Sequence, residues 1–214
     1  MMKAAFYETE VTAPLGSYLP GSYSSVYATD VRDRIYAKAV VIDNGIETIG
    51  IVSLDTVKLS GETHDIIAKR VQEFTGIKPE NITVAFNHTH TGAPMTKNPE
   101  IGEYGDPAYV SVVTRLMADC ITLAYRRLQD ATLKFGCGEV HGVSFNRDYV
   151  LRDGTIMMNA GWRMDPVTDY QVAPEVPVVA FKDAHPYSEK DIMNPNCWKP
   201  GRYRSPASCP VLRR

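Results

Sequence analysis

Cysteine is sparse in this sequence. There are four in 214 residues, Cys120, Cys137, Cys197 and Cys209, and no C-x-x-C pair. Spacings this wide in a chain this long argue neither a disulfide framework nor a zinc ribbon. An excess of one charge is missing too. Lys and Arg number 23 against 25 Asp and Glu, for a formal net charge of −2. That balance gives no general electrostatic reason to bind nucleic acid or an anionic membrane. No run approaches the roughly 18 consecutive apolar residues of a transmembrane helix. The N-terminus, Met1 to Glu8, holds one lysine, no apolar stretch and an early acid. It does not read as a secretory signal, and a reducing cytoplasm is the expected location.

What is present is the composition of a folded protein, 44% hydrophobic and 22% charged. Disorder of the whole chain is excluded, and the length suits a single domain or slightly more. Residues 10 to 30 are rich in Gly, Pro, Ser and Tyr and read as irregular loop. Ile35 to Ile42 and Glu47 to Leu54 are apolar strand-like runs joined by the hairpin signal Asp43-Asn44-Gly45. Their near-continuous apolar character predicts burial on both faces. Ser60 opens a helix carrying Ile67, Val71 and Phe74, which Gly76 stops. Ile82 to Phe86 is a short strand. Asp106-Pro107 starts a second helix with an apolar stripe of Tyr109, Val113, Leu116, Cys120, Leu123 and Leu128. Thr132 to Val140 and Val176 to Phe181 are further strands, separated by a loop from Gly142 to Tyr149. The order β-β-α-β-α-β-β predicts an α/β layered fold with a mixed sheet. After Phe181 the chain carries Pro186, Pro195, Pro200, Pro206 and Pro210 with no apolar period. This tail is expected to be irregular.

The sharpest chemical signal is His88-Thr89-His90, which runs directly out of the strand 82–86. On an extended segment, residues two apart face the same side, so both imidazoles can address one point. Neutral imidazole is a good zinc ligand, and bound zinc activates water and polarises a carbonyl. The same tripeptide also fits two polar residues on a surface loop. Asp55 ends a neighbouring apolar strand. It fits an orienter of a ligating histidine or, slightly better, a cap of the following turn. His64 is expected on the solvent side of its helix, and Cys120 and Cys137 as small buried apolar residues.

Several segments in order resemble the N-terminal part of the neutral/alkaline, non-lysosomal ceramidase family. They are Val11-Thr12-Ala13-Pro14-Leu15-Gly16, Ile35 to Asp43, Val52-Ser53-Leu54-Asp55, Asn87-His88-Thr89-His90-Thr91-Gly92-Ala93-Pro94, and Ser144-Phe145-Asn146-Arg147. The resemblance covers about residues 5 to 182 and is most specific at the H-T-H-[ST]-G segment. It implies a zinc-dependent amidase that splits N-acylsphingosine into sphingosine and fatty acid. It implies that His88 is a zinc ligand, that His90 assists at the reacting carbonyl, and that Arg147 contributes to the site. A guanidinium at Arg147 would hold a carboxylate or an oxyanion; an exposed loop arginine is the plain alternative.

The resemblance also implies partners for His88 further along: a second histidine, a Glu, a Tyr and a serine nucleophile. The sequence Asp183-Ala184-His185-Pro186 does not supply the expected apolar strand before its histidine. Residues 1–182 therefore read as a partial ceramidase-like domain and 183–214 as a divergent tail, as a truncated or shifted reading frame would give. The expected zinc site holds one ion and is incomplete in this chain, so zinc binding and amide hydrolysis by the chain alone are expected to be weak. The expected partner is a small-molecule or lipid amide; the oligomeric state is left open. Two other readings stay open: an amidohydrolase of the (β/α)₈ type, which fits poorly with about 250 residues needed, and a non-catalytic α/β binding module.

Overall fold

The structure, a computed structural model, describes residues 2–22, 24–96, 105–143, 147–158, 166–168 and 174–183. These fall into two units. The first runs to Thr132 and includes the Phe181 end of the last strand; the second is Leu133–Ala180.

The first unit is a mixed sheet with two helices. Strands β1 (Lys3–Glu10), β2 (Tyr36–Asp43) and β3 (Thr48–Leu54) are antiparallel neighbours. The β2–β3 turn forms because Asn44 Oδ1 accepts from the Ile46 and Glu47 amides, both at 2.8 Å. Asp43 accepts from the Gly45 amide at 2.7 Å and from the Thr48 hydroxyl at 2.6 Å. These bonds, the Thr48 one first, hold the Asp43 carboxyl below its ordinary value. Helix α1 (Gly61–Thr75) then crosses over, and β4 (Ile82–Phe86) returns parallel to β3. Ser60 caps α1 by accepting from the Thr63 amide at 3.1 Å, and Gly76 closes it in the left-handed region. Helix α2 (Pro107–Tyr125) is capped by Asp106 and packs on α1, β1, β2 and β3. Beyond it, β5 (Gln129–Glu139) pairs with β1. The sheet order is β4-β3-β2-β1-β5-β9, with β9 at Glu175–Asp183. This is the expected α/β layered architecture. An open mixed sheet of this order is not the alternating parallel arrangement of a (β/α)₈ barrel.

The core lies between the helices and one sheet face. Ala37, Ala39, Val41, Val52 and Leu54 meet Ile67, Val71, Val113, Met117, Cys120 and Ile121. The expected double-sided burial of β2 and β3 is not what the structure shows. Their residues alternate between buried and partly exposed, because among the described residues both helices cover the same face. The helix stripes also differ from expectation. Phe74 is 49% exposed, under the Arg70 guanidinium, and Ala68 takes its place in the core. On α2 the buried side centres on Val113, Met117, Cys120, Ile121 and Ala124; Leu128 lies past the helix end. α2 is the described helix long and apolar enough to cross a membrane, yet 44% of that span is buried inside the fold. It is a core helix by packing.

Strand β1 was not anticipated from the sequence. It lies in the middle of the sheet, and Lys3, Glu8, Thr9 and Glu10 hide its period. The loop expected over 142–149 contains the start of β6 (Asp148–Leu151), which pairs with β7 (Ile156–Met158) and β8 (Pro166–Thr168) in a small second sheet. The tail from residue 184 lies outside the described residues.

Candidate functional site

Leu54 and Phe86 are the last paired residues of the parallel strands β3 and β4. The chains leaving them, Asp55 onward and Asn87 onward, therefore start side by side at the C-terminal edge of the sheet. Such an edge is where open α/β sheets place their sites. The two loops are bonded to each other repeatedly. The Asn87 side-chain Nδ2 donates to Asp55 Oδ1 at 2.6 Å. The Ala93 amide donates to the Asp55 carbonyl at 2.8 Å, and the buried Thr56 hydroxyl donates to the Ala93 carbonyl at 2.7 Å. Asp55 thus holds Asn87 and orients no histidine directly. Asn87 in turn accepts from the Thr89 amide at 3.2 Å, fixing the turn that carries both histidines.

His88 has φ 61°, the left-handed region that side chains other than glycine's seldom adopt. Its Nδ1 stands 2.8 Å from the Val57 carbonyl. A carbonyl only accepts, so this nitrogen carries the proton and leaves the Nε2 lone pair free to bind. The His90 ring lies edge-on to the His88 ring, with centroids 5.2 Å apart and an interplanar angle of 63°. The two imidazoles lie beside each other, but not by strand alternation. The strand ends at Phe86, and the left-handed residue at His88 turns the chain so that the rings meet.

Arg147 is exposed, immediately before β6 in the second unit, and Ser144 to Asn146 lie outside the described residues. His64, on α1, keeps 39% of its side chain exposed and places Nε2 3.3 Å from the Ile82 carbonyl. His141 is exposed, beside Glu139. Cys120 is buried as expected, and burial pushes its thiol up to about 12. Cys137 is exposed, against expectation, because β5 is exposed along that stretch.

The unprotonated Nε2 of His88 is the kind of donor a metal ion accepts. Among the described residues, no group of three or more His, Cys, Asp or Glu is placed to hold a metal ion. The sequence alone did not point to Val57, whose backbone carbonyl sets the His88 tautomer. Only the sheet register brings that loop alongside, so no residue type marks it.

The fold is an α/β layer similar to part of two solved ceramidase structures. A solved neutral ceramidase from Pseudomonas aeruginosa matches with a TM-score of 0.64 and 19% identity over 86% of this chain. A ceramidase complexed with C2 matches with a TM-score of 0.63 and 20% identity over the same share. At that identity the likeness is one of fold. This chain spans 30% and 29% of those two chains. No family model matches the chain, and no curated protein matches its sequence.

Proposed function

We propose that this chain carries part of the site of a zinc-dependent hydrolase acting on a lipid amide of the ceramide type. The observation that carries the reading is the pair of imidazoles at 5.2 Å, one with its Nδ1 anchored on the Val57 carbonyl. In this reading His88 offers Nε2 to the metal. A bound zinc would supply an activated water and a polarised carbonyl. His90, beside it, donates or accepts a proton at the reacting amide. Arg147 is carried into this reading by the resemblance alone, as a guanidinium for an oxyanion or a released carboxylate. The fold shared with neutral ceramidases supports this choice of substrate class.

A full zinc shell is worth about 10–16 kcal/mol, so one ligand of four leaves about 2.5–4 kcal/mol, a dissociation constant of about 1 mM or weaker. Zinc titration followed by the His88 and His90 imidazole resonances tests this. Both are expected to shift, and a chelator is expected to reverse the shift. Hydrolysis of an N-acylated long-chain amine by the chain alone is expected to be slow or undetectable. Zinc that moves neither imidazole would favour a non-catalytic α/β binding module.

A further inference from the structure

The segment 10–30, irregular by its composition, folds in its middle as a hairpin. Tyr18 and Tyr27 form an isolated antiparallel bridge, with rings edge-on at 6.3 Å. The Leu19 amide donates to the Val26 carbonyl at 2.8 Å, the Ala28 amide to the Ser17 carbonyl at 2.9 Å, and the Gly16 amide to the Ala28 carbonyl at 2.7 Å. Near the tip is Gly21, with φ 110°. A Cβ built there would lie 2.4 Å from His90 Cγ, 2.7 Å from Nδ1 and 2.8 Å from Cδ2. Three ring atoms at that range mean that the bare backbone of Gly21 packs flat on the imidazole. No side chain fits between them.

We propose that Gly21 is a positioning residue for His90, and that the 16–28 hairpin forms one wall of the site. The proposal rests on the reading of the histidine pair given above. His90 has no hydrogen bond among those described, so its ring is held by packing: His88 on one side and the Gly21 backbone on another. A side chain at Gly21 displaces the ring from the position it holds against His88.

Gly16 is a built-in control. It belongs to the same hairpin, has φ 82°, and has nothing within 4 Å of its would-be Cβ. Gly16→Ala therefore also puts a side chain at positive φ, without touching His90. Nuclear Overhauser spectra of the wild-type chain are expected to join the Gly21 Hα protons to the His90 ring, and the His90 ring to the His88 ring. In G21A both sets are expected to vanish, whereas G16A keeps them. Thermal unfolding gives an independent measure. G21A is expected to lower Tm more than G16A does, and the excess is expected to disappear when His90→Ala removes the ring.

Survival of the ring-to-ring cross-peaks in G21A overturns the proposal, as does absence of the Gly21–His90 cross-peaks in the wild type. Should G21A not fold, the G21A/H90A double variant decides: if it folds, the clash with the ring is established, and if it too fails while G16A folds, the proposal is wrong. Failure of the hydrolase reading looks different. Zinc then leaves both imidazoles unmoved in the wild type, while the Gly21 contacts persist.

Discussion

Gly92 offers the most demanding check on how the two site loops are joined. It is buried, and a Cβ there would stand 2.2 Å from the Asp55 carbonyl oxygen and 2.6 Å from Thr89 Cγ2. The first of these neighbours is backbone and cannot rotate away. Gly92→Ala must therefore push the loop after β4 off the loop after β3. Overpacking of this kind costs about 1–3 kcal/mol. The displacement also breaks the 2.8 Å bond from the Ala93 amide to that same carbonyl, worth about 1 kcal/mol. The sum is about 2–4 kcal/mol, or a fall of about 4–16 °C in Tm for a chain of this size. Urea unfolding measures the first figure and differential scanning calorimetry the second. Because Thr89 lies between the histidines, the His88 and His90 resonances are expected to move as well. A loss under about 0.5 kcal/mol with unmoved imidazole resonances would refute the idea that close backbone approach holds the site loops together.

Two further outcomes follow from local structure. Ser60→Ala removes the oxygen that accepts from the Thr63 amide and is expected to cost about 1 kcal/mol in urea unfolding. Faster hydrogen exchange in the first turn of α1 should accompany it, and an unchanged exchange rate would count against the cap. Cys120, with its thiol held up from the ordinary 9.0 to about 12 first by burial and then by the nearby Asp119 and Glu8 charges, contributes stability that is full below pH 9. That contribution is lost as pH rises from about 9 toward 12, because the unfolded chain ionises first. Cys120→Ala is expected to flatten the alkaline fall in urea midpoint, and an equally steep fall in the variant would show that other groups cause it.

The layered α/β architecture was legible because its main elements obey local rules. The Asp43-Asn44-Gly45 turn, the Ser60 cap, the Gly76 stop and the Asp106-Pro107 start each act within a few residues, and each stands where the pattern put it. Strand β1 was not legible. Its pairing residues on β2 and β5 are far away in sequence, and its own alternation is blurred by Glu8, Thr9 and Glu10. One-sided burial of the sheet was likewise hidden, because an apolar run does not say how many faces the helices will cover.

The same division runs through the site. By itself the sequence determined that two imidazoles follow a strand, since the residues 82–90 carry both the strand and the histidines. The tertiary structure decided how the imidazoles meet. A left-handed His88, the Val57 carbonyl on its Nδ1, the Asp55–Asn87 bond and the Gly21 backbone against His90 all come from loops that only the parallel β3–β4 register and the 16–28 hairpin bring together. Periodicity is a property of neighbours along the chain. The geometry of this pair is fixed by backbone atoms distant in sequence, whose positions exist only once the sheet has formed.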